Sequence, residues 1–251
     1  LIMAIMTYWP MLFNFWMSTT NYAIKNLRWD APLPDFVQLW NYLNILTNEI
    51  AIPNYDFTRV LFFNLFWTFS NVIFHVSIGI LIAVALNTEG LWLKGVYRAI
   101  FVLPIIIPTL VVGTVWRNIF DADYGAINQA LMAAGSLFGI NPQTFHIRWI
   151  DQVDPPIPGI PLTLSYFALL IANIWLGWPF MTIVATGALQ SIPKDLYEAA
   201  DIDGASGPQK FLLITIPQLR PIIFINLVLI TIYTFNTFDM VIALTGGGPA
   251  R

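Results

Sequence analysis

Residues 196–217 read LYEAADIDGASGPQKFLLITIP. With Asp195 included, Glu198, Asp201 and Asp203 complete a set of four carboxylates within the nine positions 195–203. The surrounding chain otherwise avoids charge. Of 251 residues, 57% are hydrophobic and 10% charged, and the mean hydropathy is +0.70. A soluble domain carries about 25% charged residues, so this chain could not cover its surface with polar groups, and its solvent must largely be lipid. A net charge of −3 with no basic cluster argues against a nucleic-acid partner. The absence of cysteine excludes disulfides, thiolate catalysis and Cys-based metal sites. Ten Trp and nine Tyr suit aromatic belts at membrane interfaces.

Working outward from the acidic stretch, five apolar segments reach the length of about 20 residues that a spanning helix needs: 1–20, 62–86, 97–119, 163–190 and 221–244. They predict an all-α, polytopic transmembrane bundle in a single domain, with the second and third spans inside 62–119. The loops at 21–61 and 120–162 are long, rich in Pro, Asp and Asn, and carry Asp30, Asp35, Glu49, Asp56, Asp121, Asp123, Asp151 and Asp154. The loops at 87–96 and 191–220 are shorter and bring Lys94, Arg98, Lys194, Lys210 and Arg220 close to span ends. Basic residues near span ends stay in the cytoplasm, which places the second pair inside and 21–61, 120–162 and 245–251 outside. The bias is modest, because Lys25, Arg28, Arg59, Arg117 and Arg148 fall outside. The sequence opens on an apolar run without Met or a basic flank, and the expectation is a chain trimmed at both ends, with a missing sixth span. Pro104, Pro108 and Pro179 each remove a helix hydrogen bond within a span; they either shape packing or open a kink onto a wet cavity.

Within 191–220, Ser191 can cap a helix, Pro193 suits its first turn, and the acids favour the positive end of its dipole. Gly204 is placed to end it. Ser206 or Gly207 can cap a restart that Pro208 opens and that runs to Pro217, giving two short helices joined by a glycine turn. The first is about three turns long and marginal on its own in water. Asp195, Glu198 and Asp201 recur three apart and share a face, while Ala199 and Ala200 permit close approach. A solvated helix whose acids complement the dipole and a helix that docks on a partner both fit this composition.

The string EAADIDGA followed by TIPQLRP resembles the EAA loop of ABC-importer permeases, with Glu198, Ala199, Ala200, Asp203, Gly204, Ala205 and Pro217 on the motif positions. YRAIFVLPIIIP at 97–108, NIWLGWPF at 173–180 and LTGGGP at 244–249 agree, and the last two look like the MalF-type subunit of carbohydrate importers. The resemblance covers roughly residues 60–250. It implies a type I importer permease of a prokaryotic inner membrane whose EAA loop forms the coupling helix, seated in a cleft of a separate ATPase. It further implies a MalG-type sister permease, two cytoplasmic ATPase subunits that bind ATP and Mg, an extracytoplasmic solute-binding protein docking on the outer loops, and a sugar substrate of oligosaccharide, maltose, trehalose or polyol type. The chain itself would be no enzyme and carry no cofactor.

Polar groups at mid-membrane are functional candidates by default. Asn173 lies one turn before Gly177, with Pro179 following, and Thr231, Thr234 and Thr237 recur every third residue with Tyr233 and Asn236 beside them. By the resemblance, Asn173, Leu176, Gly177, Thr234 and Thr237 fall on sugar-contacting positions and Thr109 near another. Amides, hydroxyls and an aromatic suit a hydroxyl-rich ligand; each Thr can instead bond back to its own helix. His75 reads as a hydrogen bond within the bundle, and His146 has no companion at ligand spacing for a metal. An ion-coupled secondary transporter should show inverted repeats, and no second copy of the acidic loop is present. An intramembrane protease needs a nucleophile–His or paired-Asp arrangement within spans, which is missing. No G-x-x-x-x-G-K-[ST] loop occurs, so nucleotide would bind elsewhere.

Overall fold

A computed structural model describes residues 2–50, 52, 55–88, 90–157 and 162–247. The regular elements among the described residues are helices, and the β pairing among them is one isolated bridge between Thr20 and Phe36. The chain divides into two compact units, Leu1–Asn64 and Leu65–Arg251.

In the first unit, α1 (Ile2–Ser18) has no buried residue, as expected of an apolar helix that faces lipid. The chain folds back on its end. Asn41 Nδ2 donates to the carbonyls of Ser18 and Thr20 at 2.9 and 2.8 Å, and the Tyr42 hydroxyl donates to Ser18 Oγ at 2.7 Å. Both tyrosine and asparagine belong to the short α2 (Trp40–Leu46).

α3 (Phe57–Asn87) is followed by α4 (Lys94–Ile106) and α5 (Thr109–Ile119). The third segment, expected as one span over 97–119, is broken: α4 and α5 meet at 100°. Pro108 sits at the break, with φ −56° and ψ 136°. It offers no N–H to the preceding turn and excludes the helical conformation at Ile107, which takes ψ 128°. Pro104 and Pro179 are buried within α4 and α7.

Beyond α6 (Ala126–Leu137) comes α7 (Leu164–Gln190), the helix around which the second unit is built. Two buried clusters flank its midpoint. One joins Tyr166, Ala168, Leu169 and Ala172 to Trp67, Val112, Phe120, Met240 and Leu244. The other joins Met181, Ala185 and Leu189 to Val72, Ile80, Ala83, Leu219 and Ile230. α3 and α7 approach closely at Gly79, where an added Cβ would lie 2.5 Å from Met181 Cβ, and Thr182 Oγ1 donates to the Gly79 carbonyl at 3.1 Å. Without a hydrophobic force between helices in lipid, such small-residue contacts and interhelical bonds hold the pair.

α8 (Lys194–Ile202) and the single turn α9 (Gly207–Lys210) follow, then α10 (Ile216–Phe235) and α11 (Asp239–Thr245). The expected second short helix ending at Pro217 is instead continuous with the fifth apolar segment through a π-helical turn at Phe211–Thr215. Pro217 cannot donate to the carbonyl one turn back and its ring crowds that turn; the local widening lets the helix pass through the proline. The fifth segment, expected as 221–244, breaks at Asn236 before α11. Among the described residues three continuous helices are long and apolar enough to cross a membrane, Phe57–Asn87, Leu164–Gln190 and Gly207–Phe235, and the bent α4–α5 pair is a fourth if counted as one.

Candidate functional site

Between the two clusters, α3 and α7 share a polar layer. Asn71, His75 and Asn173 are all at most 2% exposed. Asn173 Nδ2 donates to Asn71 Oδ1 at 2.8 Å, and Asn71 Nδ2 donates to the Trp67 carbonyl at 2.9 Å. His75 Nε2 lies 3.0 Å from the Asn173 carbonyl. A carbonyl only accepts, so Nε2 carries the proton. The expected bundle hydrogen bond of His75 is therefore present, with Asn173 as its partner. Gly177 makes room for it: a Cβ there would fall on the imidazole ring at Cε1, Nε2 and Nδ1.

This layer forms one wall of a cavity of about 350 Å3. Asn173, Leu176 and Gly177 of α7 meet His75 of α3, Thr109 of α5 and Tyr233 of α10, and Ile105, Ile107, Phe180, Leu229 and Ile230 complete a largely apolar lining. The break at Pro108 presents Ile107 and Thr109 to it from either side of the bend. A second cavity, about 280 Å3, is lined by Thr109, Tyr233, Asn236 and Thr237 together with Asp239. Thr109 and Tyr233 line both, so the two cavities adjoin.

Of the eight residues singled out as a substrate site, seven thus line this pair of cavities. Thr234 does not: it is fully buried, and its hydroxyl finds no partner among the described residues. Asn236 Nδ2 and Thr237 Oγ1 bond back to the carbonyls of Ile232 and Tyr233 at 2.8 and 3.3 Å. Sequence reasoning missed Asn71, although Asn71, His75 and Gly79 recur every fourth residue and so mark one face of α3.

The acidic stretch forms a second locus. α8 has no buried residue, and Glu198, Ala199, Asp203 and Gly204 are exposed, with Ala200 and Ala205 partly so. Ser191 does not cap it; its hydroxyl bonds back to the Ala188 carbonyl at 2.7 Å and the N-cap position is Pro193. At the other end Gly204 takes φ +74°, and the Ala205 N–H closes on the Ala200 carbonyl at 2.8 Å, the six-residue closure of a glycine-terminated helix. Ser206 precedes α9 as expected, its backbone N–H donating to Gln209 Oε1 at 2.7 Å. The Tyr197 hydroxyl lies 2.9 Å from Thr215 Oγ1, and Lys210 Nζ pairs with Asp201 Oδ1 at 2.5 Å.

In the 120–162 loop, Asn128 Nδ2 donates to the carbonyls of Ala122 and Ile147, both at 2.9 Å, while its Oδ1 accepts from Trp149 Nε1 at 2.9 Å. His146 Nε2 pairs with Asp123 Oδ1 at 2.9 Å. Asp121 accepts the backbone N–H of Tyr124 at 2.8 Å and of Asp123 at 2.9 Å, which holds its carboxyl below the usual aspartate range. In the LTGGGP stretch, residues 248 and 249 lie outside the described residues, as does the rest of the tail to 251.

Residues 75–250 match the model of a family described as the binding-protein-dependent transport system inner membrane component. The trehalose/maltose transport system permease protein MalF of Thermococcus litoralis is 35% identical over 243 residues, 96% of this chain and 72% of that protein. The galactooligosaccharides transport system permease protein GanP of Bacillus subtilis is 35% identical over 96% of this chain, which spans 53% of its length. The maltose/maltodextrin permease MalF of Escherichia coli K12 is 32% identical over 84% of this chain, and the match spans 37% of its length. A crystal structure of a bacterial ABC transporter that imports the acidic polysaccharide alginate shares the fold, with a TM-score of 0.68 over 97% of this chain and 73% of the matched chain at 20% identity. By its motifs, its helical architecture and this match over most of its length, the chain belongs to the binding-protein-dependent transport system inner membrane components.

Proposed function

We propose that the chain is the MalF-type permease subunit of an ATP-driven importer of oligosaccharides or related polyols. Its five apolar segments cross the bilayer as α1, α3, the bent α4–α5 pair, α7 and the helix Gly207–Phe235, with 21–61, 120–162 and the stretch after α10 outside and 87–96 and α8 inside. α8 is the coupling helix. It presents Glu198 to charge-assisted bonds from a cleft in the ATPase, and Ala199 and Ala200 let it nest there. The adjoining cavities hold the sugar in transit, with Asn173, Leu176, Gly177, Thr109, Tyr233, Asn236 and Thr237 in contact; Thr234 joins them only through a rearrangement of α10. ATP and Mg belong to two ATPase subunits, and a sister permease of MalG type and a solute-binding protein at the outer loops complete the assembly.

One observation carries this reading: in a chain of this family, an exposed nine-residue helix bearing Glu198 is joined through the Gly204 turn to the helix whose Tyr233 lines the cavity. The relatives' names support a sugar, as they refer to maltose, trehalose and galactooligosaccharides. The test is a pull-down of the detergent-solubilised chain from its source membrane, with ATP hydrolysis measured against a panel of these sugars plus binding protein. Co-purification of an ATPase whose turnover rises with loaded binding protein is the expected result. A chain that purifies alone and moves solute in liposomes without ATP would overturn the proposal in favour of a secondary transporter.

A further inference from the structure

A coupling helix held only by its chain ends would swing on the Gly204 turn and transmit little. Two contacts bridge α8 to the chain beyond that turn, and they are not equivalent. The Asp201–Lys210 pair is open to water, with side chains 60% and 24% exposed, and pairs of this kind contribute little. The Tyr197–Thr215 bond is sheltered. Thr215 is 4% exposed, and the Tyr197 ring packs on the buried cluster that includes Leu219 and Ile230.

Thr215 Oγ1 also lies 3.4 Å from the Lys210 carbonyl, five residues back at the start of the π turn. Either hydroxyl can donate in the 2.9 Å Tyr197–Thr215 bond, and in both arrangements the bond fastens α8 to the π turn at the root of α10. α10 in turn carries Leu229, Ile230 and Tyr233 to the cavity.

We propose that Tyr197 and Thr215 are positioning residues for transport, whose hydroxyl–hydroxyl bond makes α8 and the base of α10 move as one body. The inference rests on the coupling role of α8 proposed above. It is tested on the assembled transporter in proteoliposomes, with the binding protein and whichever of maltose, trehalose or a galactooligosaccharide most stimulates ATP hydrolysis. Tyr197→Phe and Thr215→Val each delete one hydroxyl and keep the shape, and Thr215→Ser keeps the hydroxyl. Uptake and ATP hydrolysis are read in the same vesicles. The expected result is a fall of about fivefold in sugar moved per ATP in each deletion, the shift that one hydrogen bond sustains. The double variant should fall no further, and Thr215→Ser should stay at the wild-type ratio. A folding or assembly defect would lower both activities together and leave their ratio unchanged, which would overturn the inference. Additive losses in the double variant would do the same. If the wild-type complex shows no ATP-driven uptake, the importer reading fails and this one with it. If the wild type is coupled and both single variants match it, this inference alone fails.

Discussion

The tightest interlock near the cavity is a glycine opposite a histidine, and Gly177→Ala tests whether it shapes the site. The new methyl would occupy the place of the His75 ring, which is buried between α3 and α7 and tied to the Asn173 carbonyl, so the ring or the helices must shift. Overpacking of this kind costs about 1–3 kcal/mol. If the ring turns away, its bond to the Asn173 carbonyl is lost as well, and an interhelical bond in a membrane protein contributes about 0.6 kcal/mol on average. The steric cost therefore dominates. His75→Ala alone has a different cost, because it leaves a void between the helices at about 2–5 kcal/mol. Combined, the two changes offset each other: the methyl at 177 enters space vacated by the ring. The double-mutant cycle, read as thermal stability of the detergent-solubilised complex, should give an interaction energy of at least about 1 kcal/mol in the compensating direction. Gly177→Ala should also lower the affinity for transported sugar more than His75→Asn, since only the former narrows the cavity. Costs that add to within about 0.5 kcal/mol, the range expected of independent sites, would refute the packing argument.

Three further outcomes are expected. Glu198→Lys should abolish sugar-stimulated ATP hydrolysis and uptake while the chain still inserts and purifies with its sister permease; intact uptake would remove α8 from the coupling path. Asn173→Ala should weaken transport and also loosen the α3–α7 contact, because Asn71 loses its donor; a variant unchanged in affinity and rate would remove Asn173 from the site. In the 120–162 loop, the depressed Asp121 carboxyl works in a definite pH window. Its folded value lies below the unfolded value of about 4, so the turn it accepts from is fully stabilised at neutral pH and loses that support as pH falls through the folded value. Hydrogen exchange at the Asp123 and Tyr124 amides, corrected for the intrinsic rate, should stay protected from pH 7 to 5, and Asp121→Ala, which removes the acceptor, should abolish that protection at every pH.

Features fixed by local chemistry were legible in the sequence. Gly204 ends α8 in a left-handed turn because a side chain there is costly, and that cost is visible from the residue and its place after an acidic helix. The ends of α7 fell within a residue of the hydropathy boundaries, since a buried span has the length the bilayer sets. Features fixed by packing were not legible. Pro108 announced a disturbance, but its size, a right-angle break, depends on α4 lying along α7 while α5 packs with α11. The threonine spacing at 231, 234 and 237 suggested a shared face. α10 ends at Phe235, so Thr234 stays on the helix and in the core, while Thr237 lies past the break at Asn236 and reaches the cavity. Ser191 had the chemistry of a cap and was already engaged by the preceding helix. Which of two adjacent helices wins a polar side chain is a question of geometry that the string of residues does not carry.

The π turn at Phe211–Thr215 has a consequence for how this chain can vary. Each residue of an α-helix advances the side-chain direction by about 100°, so the turn works as a phase setting between α8 and α10. The turn closes on the fifth residue rather than the fourth, so it holds one residue more than an α turn, and deleting one residue from 211–215 would let the segment relax to regular α-helix with the downstream frame nearly kept. Deleting one residue from the regular helix just beyond it would instead rotate every later position by about 100°, taking Leu229, Ile230 and Tyr233 from the cavity wall and Leu219 from its buried seat. A single loss of length can thus be absorbed inside the π turn but not between Pro217 and Tyr233, where drift in composition is expected without insertion or deletion.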